Sequence, residues 1–176
     1  MNGREGKDAA GIAYGSDMIF DHMSVTWGRD ECFSINGDPK KPADLPRNIT
    51  IQNSFIGQGL QPHSCGGLIQ TTINDGVTLY RNLYIDNKTR NPKVKGLNQF
   101  VNNVLYNWGN GGAYIMGDTQ QKSDADIRNN YFIVGTTDNY DGKKLGATAP
   151  FTRYNEHFSA YLSGNLYDDN KDGLLN

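Results

Sequence analysis

Six short stretches of alternating apolar residues, each with a polar residue near its centre, recur along the chain and constrain its fold more than any other feature. They run over 18–25, 48–55, 77–84, 99–106, 127–132 and 161–167. Their central residues are Met23, Asn53, Asn82, Asn103, Asn130 and Asn165, separated by 21 to 35 residues. Such uneven spacing does not suit a rigid short-period solenoid. It suits a coil of three short strands per turn joined by loops of varying length. In a stacked coil each residue lies over its counterpart in the next turn, so an Asn column can form a ladder, each amide NH2 donating to the neighbouring Asn carbonyl. An antiparallel sandwich also has many short strands, but gives a repeated Asn no comparable job. The reading is therefore all-β, a single right-handed parallel β-helix domain over 1–176.

Composition agrees. With 21 Gly and 10 Tyr, abundant Asn and no long run of helix formers, a helical bundle is disfavoured. A net charge of −2 without a basic block gives no reason to expect nucleic acid. No run approaches the roughly 18 apolar residues of a membrane span. The first ten residues have no apolar segment of signal-peptide type, so for an exported protein the targeting segment is expected outside this sequence. The sequons Asn48-Ile49-Thr50 and Asn87-Lys88-Thr89 are compatible with secretion. Cys32 and Cys65 allow either one disulfide or two reduced thiols.

Three segments carry more specific information. Asp21-His22 is followed by Ser24-Val25-Thr26-Trp27-Gly28-Arg29-Asp30-Glu31; then come Gln61-Pro62-His63-Ser64-Cys65-Gly66-Gly67-Leu68 and Asn87-Lys88-Thr89-Arg90-Asn91-Pro92-Lys93-Val94-Lys95-Gly96. In order and spacing they resemble polysaccharide lyase family one, the pectate lyases, over roughly residues 4 to 108. The last resembles that family's Arg-x-Pro-x-x-Arg motif, with Lys95 at the final position. The resemblance implies a secreted, calcium-dependent enzyme that cleaves polygalacturonate, an acidic polysaccharide, by β-elimination. It also implies that the turns preceding residue 4 in the family are missing here. The chain would then be a monomer, or an oligomer whose neighbours cover the open end of the coil.

The same resemblance assigns residues. Arg90 matches the catalytic base, a role that requires neighbouring cations to lower its pKa at about 1.4 kcal/mol per unit. Asp8 and Asp30 match calcium ligands, and Glu31 is a candidate to stand in for a second acid that the family has where this chain has Ser34. An adjacent residue on a strand would point to the opposite face. Cys65 replaces a substrate-binding lysine, leaving Lys95, His63 and Lys88 as candidate substrate contacts. Without the resemblance, the acids would be ordinary loop carboxylates and Lys95 a solvated lysine. A Cys65–His63 protease pair lacks an orienting third group. His22 is expected to be hydrogen-bonded beside Asp21. Trp27 and Trp108 are candidates for stacking on sugars or for filling the core. Residues 166–173 resemble a calcium loop but lack the closing Glu, and read as a polar turn. Two other readings remain: a lyase on methyl-esterified pectin or another uronate polymer, and a carbohydrate-binding coil without catalysis.

Overall fold

Each turn of the coil gives one strand to each of three six-stranded parallel sheets. The computed structural model describes residues 6–38, 40–109, 111–117, 120–135, 139–140, 143–144 and 149–175. The first turn holds β1 (Ala10–Ile12), β2 (Ser16–Asp21) and β3 (Ser24–Thr26). The second holds β4 (Glu31–Asn36), β5 (Arg47–Gln52) and β6 (Phe55–Gly57), and the third β7 (Cys65–Gln70), β8 (Val77–Tyr80) and β9 (Leu83–Ile85). The fourth holds β10 (Lys93–Lys95), β11 (Leu97–Val101) and β12 (Val104–Trp108), the fifth β13 (Tyr114–Met116), β14 (Ser123–Arg128) and β15 (Tyr131–Val134). After a two-stranded antiparallel ribbon, β16 (Asn139–Tyr140) and β17 (Lys143–Lys144), the sixth turn is β18 (Phe151–Thr152), β19 (Phe158–Ser163) and β20 (Leu166–Tyr167). Every other pairing is parallel, turn upon turn, which is a parallel β-helix and not an antiparallel sandwich.

Stacking in register puts like residues in columns. Ile12, Ile35, Ile69, Val94 and Met116 face inward from the first sheet. Ile51, Leu79, Phe100 and Ile127 do so from the second, and Val25, Ile56, Tyr84, Leu105 and Phe132 from the third. Burial of each such side chain stabilises the coil by about 1.5–3 kcal/mol relative to exposure. Trp108 belongs to this core, so it is not a sugar platform; Trp27 is exposed and donates from Nε1 to Gln58 Oε1 at 3.1 Å.

The repeated stretches are each two strands, not one. They meet at a two-residue bend, which is where the polar residue falls. The second bend residue forms the ladder: the carbonyl Oδ1 atoms of Asn103, Asn130 and Asn165 accept the backbone N–H groups of Asn82, Asn103 and Asn130 at 2.9, 2.8 and 3.0 Å. Each Nδ2 donates to a backbone carbonyl of the preceding turn, as from Asn103 to Leu79 at 2.9 Å and from Asn130 to Phe100 at 2.8 Å. Amide-to-amide bonds of the expected kind also occur, from Asn103 to Asn130 at 3.1 Å and from Asn130 to Asn165 at 2.9 Å. The ladder thus serves the main chain first: it supplies an acceptor to the N–H of the second bend residue, whose own carbonyl accepts a strand N–H of the next turn, as Asn82 O does from Val104 N at 2.9 Å. In the second turn the ladder member is Ser54, not Asn53: Ser54 N donates to Asn82 Oδ1 at 3.1 Å, and its Oγ accepts Met23 N at 3.1 Å.

Asn53 occupies the first bend position. There His22, Asn53, Arg81, Asn102, Asn129 and Gly164 all have φ between 47° and 63°. A left-handed residue costs about 1–2 kcal/mol unless it is Gly, and Asn least among the rest. Asn102→Val should therefore destabilise the coil by about 1–2 kcal/mol, whereas Asn102→Gly should change it by a few tenths at most. Urea unfolding of the two variants side by side measures the difference.

His22 Nδ1 does contact Asp21, at 2.9 Å, but the ring stands exposed at this bend. Hydrogen bonds from Asn53 and then His22 hold the Asp21 carboxyl below its usual range. Of the two sequons, Asn48 is exposed, while Asn87 is buried, with Nδ2 on Ile56 O at 3.1 Å and Oδ1 accepting Gly59 N at 3.1 Å. At the end of the coil, buried Asp168 accepts N–H groups of Asp172 and Gly173 at 3.3 and 3.0 Å, the arrangement of a closed polar turn.

Candidate active site

Glu31, Cys65 and Thr89 stand side by side at one end of the first sheet. Arg90, next to Thr89, has φ of 53° and is pinned from both sides. Its carbonyl accepts Gly67 N at 2.7 Å, and the following N–H, of Asn91, donates to Ala113 O at 2.7 Å. The close approach needs a glycine at 66, where a Cβ would meet Asn91 Oδ1 at 2.3 Å and Arg90 O at 2.9 Å. A left-handed residue fixed this way projects its side chain on rigid backbone.

Arg90 lines a cleft of about 270 Å³ together with His63, Cys65, Lys88 and Arg153. Its guanidinium is ion-paired through Nη1 with Oε1 of the buried Glu31. Asp30 Oδ1 meets His63 Nε2 at 3.0 Å, and Asp8 Oδ1 accepts the Glu31 N–H at 3.1 Å. Carboxylate oxygens of Asp8, Asp30 and Glu31 lie within 4.8 Å of one another. Asp30 and Glu31 reach one site because Asp30 is in a bend before β4, so strand alternation does not separate them. Three carboxylates are a hard-oxygen set that fits calcium, which takes six to eight oxygens, only if water or substrate supplies the remainder. Ser34 adds no charge: it is buried on β4, and its hydroxyl has no hydrogen-bond partner among the described residues.

The electrostatics differ from expectation at Arg90. The group in direct contact with it is the Glu31 carboxylate, not a cation. Burial works to lower its pKa, but Cys65, Glu31 and Asp30 raise it on balance, so the resting side chain is a firm cation. Burial drives the Glu31 carboxyl up from 4.5 to about 7, against the pull of Arg90. A carboxyl that keeps its proton longer folded than unfolded stabilises the fold fully below its unfolded pKa, and that contribution is lost as pH rises through the folded one. Melting temperatures should accordingly fall between about pH 4.5 and 7 in the wild type relative to Glu31→Gln. A constant offset between the two proteins would contradict this.

Cys32 and Cys65 are separate buried thiols, not a disulfide. Cys32 Sγ points to Gly57 O at 3.3 Å, and burial pushes the Cys65 thiol up to about 12. Cys65 therefore does not replace the charge of a lysine. Lys88 Nζ donates to Pro62 O at 3.2 Å beside the cleft. Lys95, at the far end of β10 opposite Gln70, is not among the lining residues. Arg153 is, and sequence reasoning missed it. The only available signal was a cation directly following a first-sheet strand, and the long connection before β18 hides that register.

No family model matches the chain. Curated relatives do. The chain is 59% identical over 174 residues to the probable pectate lyase C of Aspergillus flavus, covering 99% of this chain and 38% of that protein. It is 60% identical over 173 residues to that of Neosartorya fischeri (98% and 37%), and 56% over 174 to that of Emericella nidulans (99% and 36%). The chain thus spans a little over a third of the length of these relatives. Over nearly its whole length the chain is thus similar in sequence to probable pectate lyases, and its parallel coil is the fold that the resemblance to polysaccharide lyase family one implies.

Proposed function

We propose that the protein is a secreted pectate lyase that cleaves polygalacturonate by calcium-assisted β-elimination, releasing unsaturated oligogalacturonides. The observation that carries this reading is the pairing, in one cleft, of three cationic side chains with a neighbouring carboxylate trio. Arg90, Lys88 and Arg153 suit a polymer with a carboxylate on every sugar, and Asp8, Asp30 and Glu31 suit the cation such a polymer brings with it.

In β-elimination a base takes the C5 proton, its electron pair becomes the C4–C5 double bond, and the C4–O bond breaks, the departing oxygen taking a proton from solvent. The C5 proton is weakly acidic because its loss adds charge beside an existing carboxylate. A calcium ion held by Asp8, Asp30 and Glu31 would supply positive charge to that carboxylate. Lys88 and His63 orient the chain along the cleft, and Arg90 is assigned the C5 proton. To accept it, Arg90 must first give up its own proton to solvent, because Glu31, paired with it at rest, is needed as a carboxylate to hold the cation. Its ion pair also favours a second role, in which Arg90 stays charged and grips the uronate carboxylate bidentately. Ser34, neutral where a further acid would strengthen calcium binding, favours some tolerance of methyl-esterified pectin.

Incubation with polygalacturonate and calcium should raise the ultraviolet absorbance of unsaturated ends, and chelator should abolish the rise. Binding to the polymer with no such rise would support a carbohydrate-binding coil instead.

A further inference from the structure

Cys65, which the carbohydrate chemistry leaves unused, stands with Glu31 and His63 in a second set of ligands at the cleft. Glu31 opens β4, and Cys65 opens β7 directly beside it in register, with His63 two residues earlier. A carboxylate oxygen, a ring nitrogen and a sulfur from these three lie within 4.8 Å of one another. Strand pairing fixes Glu31 and Cys65, so two of the three are preorganised. Only His63, half exposed and hydrogen-bonded to Asp30, has to turn. Cys65 and His63 both line the cleft, which leaves a fourth direction open to solvent. Oxygen, imidazole and thiolate with one open position is the donor pattern of a borderline-soft cation, whereas calcium takes oxygen alone.

We propose that Glu31, His63 and Cys65 form a four-coordinate site for a divalent cation of the zinc class, its open position facing the cleft. On binding, a metal–sulfur bond replaces the S–H bond of Cys65 and the proton passes to solvent. Glu31 exchanges the Arg90 guanidinium for the metal. Because Glu31 also belongs to the trio with Asp8 and Asp30, the two cations exclude each other, and zinc switches the cleft off. That last consequence rests on the lyase reading; metal binding itself does not.

Cobalt(II) alone is the probe. The wild type should develop the near-ultraviolet thiolate-to-cobalt charge-transfer absorption, and stoichiometric zinc should bleach it. Cys65→Ala should lack the band and Cys32→Ala should keep it. His63→Ala, a change at an exposed side chain that leaves the core intact, should raise the cobalt midpoint at least about tenfold, the loss that even outer-shell partners cause. Excess calcium should also raise it. Absence of the band in folded wild type, its survival in Cys65→Ala, or an unmoved midpoint in His63→Ala would overturn the site. A band in a protein without lyase activity would instead sink the lyase reading and leave the metal site standing.

Discussion

Replacing Arg90 with Ala should lower kcat about a thousandfold, within the range that a positioned proton acceptor contributes, while the coil stays folded. The variant loses the guanidinium that is ion-paired with Glu31, so stability should fall as well. That loss depends on pH. An unpaired buried carboxylate is costly, but a carboxyl already driven up to about 7 can take a proton instead. Arg90→Ala should therefore be nearly as stable as wild type at about pH 5, and clearly weaker at about pH 8. Adding Glu31→Gln should restore stability without restoring turnover, which separates chemistry from folding. Arg90→Lys divides the two roles of the side chain. A pH–rate profile displaced towards lower pH marks proton transfer, because an ammonium loses its proton more readily than a guanidinium. An undisplaced profile with raised KM marks a carboxylate grip.

The largest effect on stability should come from the Asn ladder. In Asn130→Leu the volume is nearly kept, but the backbone N–H of Asn103 loses its acceptor and the carbonyl of Phe100 its donor. Both groups are buried, and each unsatisfied partner costs about 1–3 kcal/mol. A total of about 2–6 kcal/mol should lower the melting temperature by roughly 4–24 °C in a chain of this size. Asn53→Leu, at the half-buried first bend position and outside the ladder, should cost less. Calorimetry of the two variants tests the assignment of ladder and bend columns; equal losses would contradict it.

The second and third sheets were legible in the sequence because their strands alternate with period two and meet at an Asn that recurs turn after turn. The one-residue error at Asn53 has a simple cause. Asn favours both bend positions, as a left-handed residue in the first and as a ladder rung in the second, and Ser54 can serve as the rung through a shorter side chain. The first sheet was not legible as a repeat. Its strands include Glu31-Cys32-Phe33 and Cys65-Gly66-Gly67, where close backbone approach and buried polar groups replace the alternating pattern. Yet that sheet carries the cleft, so the chemistry lies where periodicity is weakest. Asp8, Asp30, Glu31, His63, Lys88 and Arg90 were candidates from the family resemblance, and the structure places them near one another. Lys95 lies off the cleft lining, and Arg153 enters it through a register that no local pattern reveals. The charge environment of Arg90 could not be read from sequence either. Glu31 lies 59 residues away from it, and only the stacking of turns puts the two side by side.

The masses of the oligomers released from polygalacturonate test the central claim most directly. Elimination adds no water, so each cut should leave one fragment a water lighter than its saturated counterpart, and only while calcium is present. Fragments that have all gained water would show hydrolysis and contradict the account.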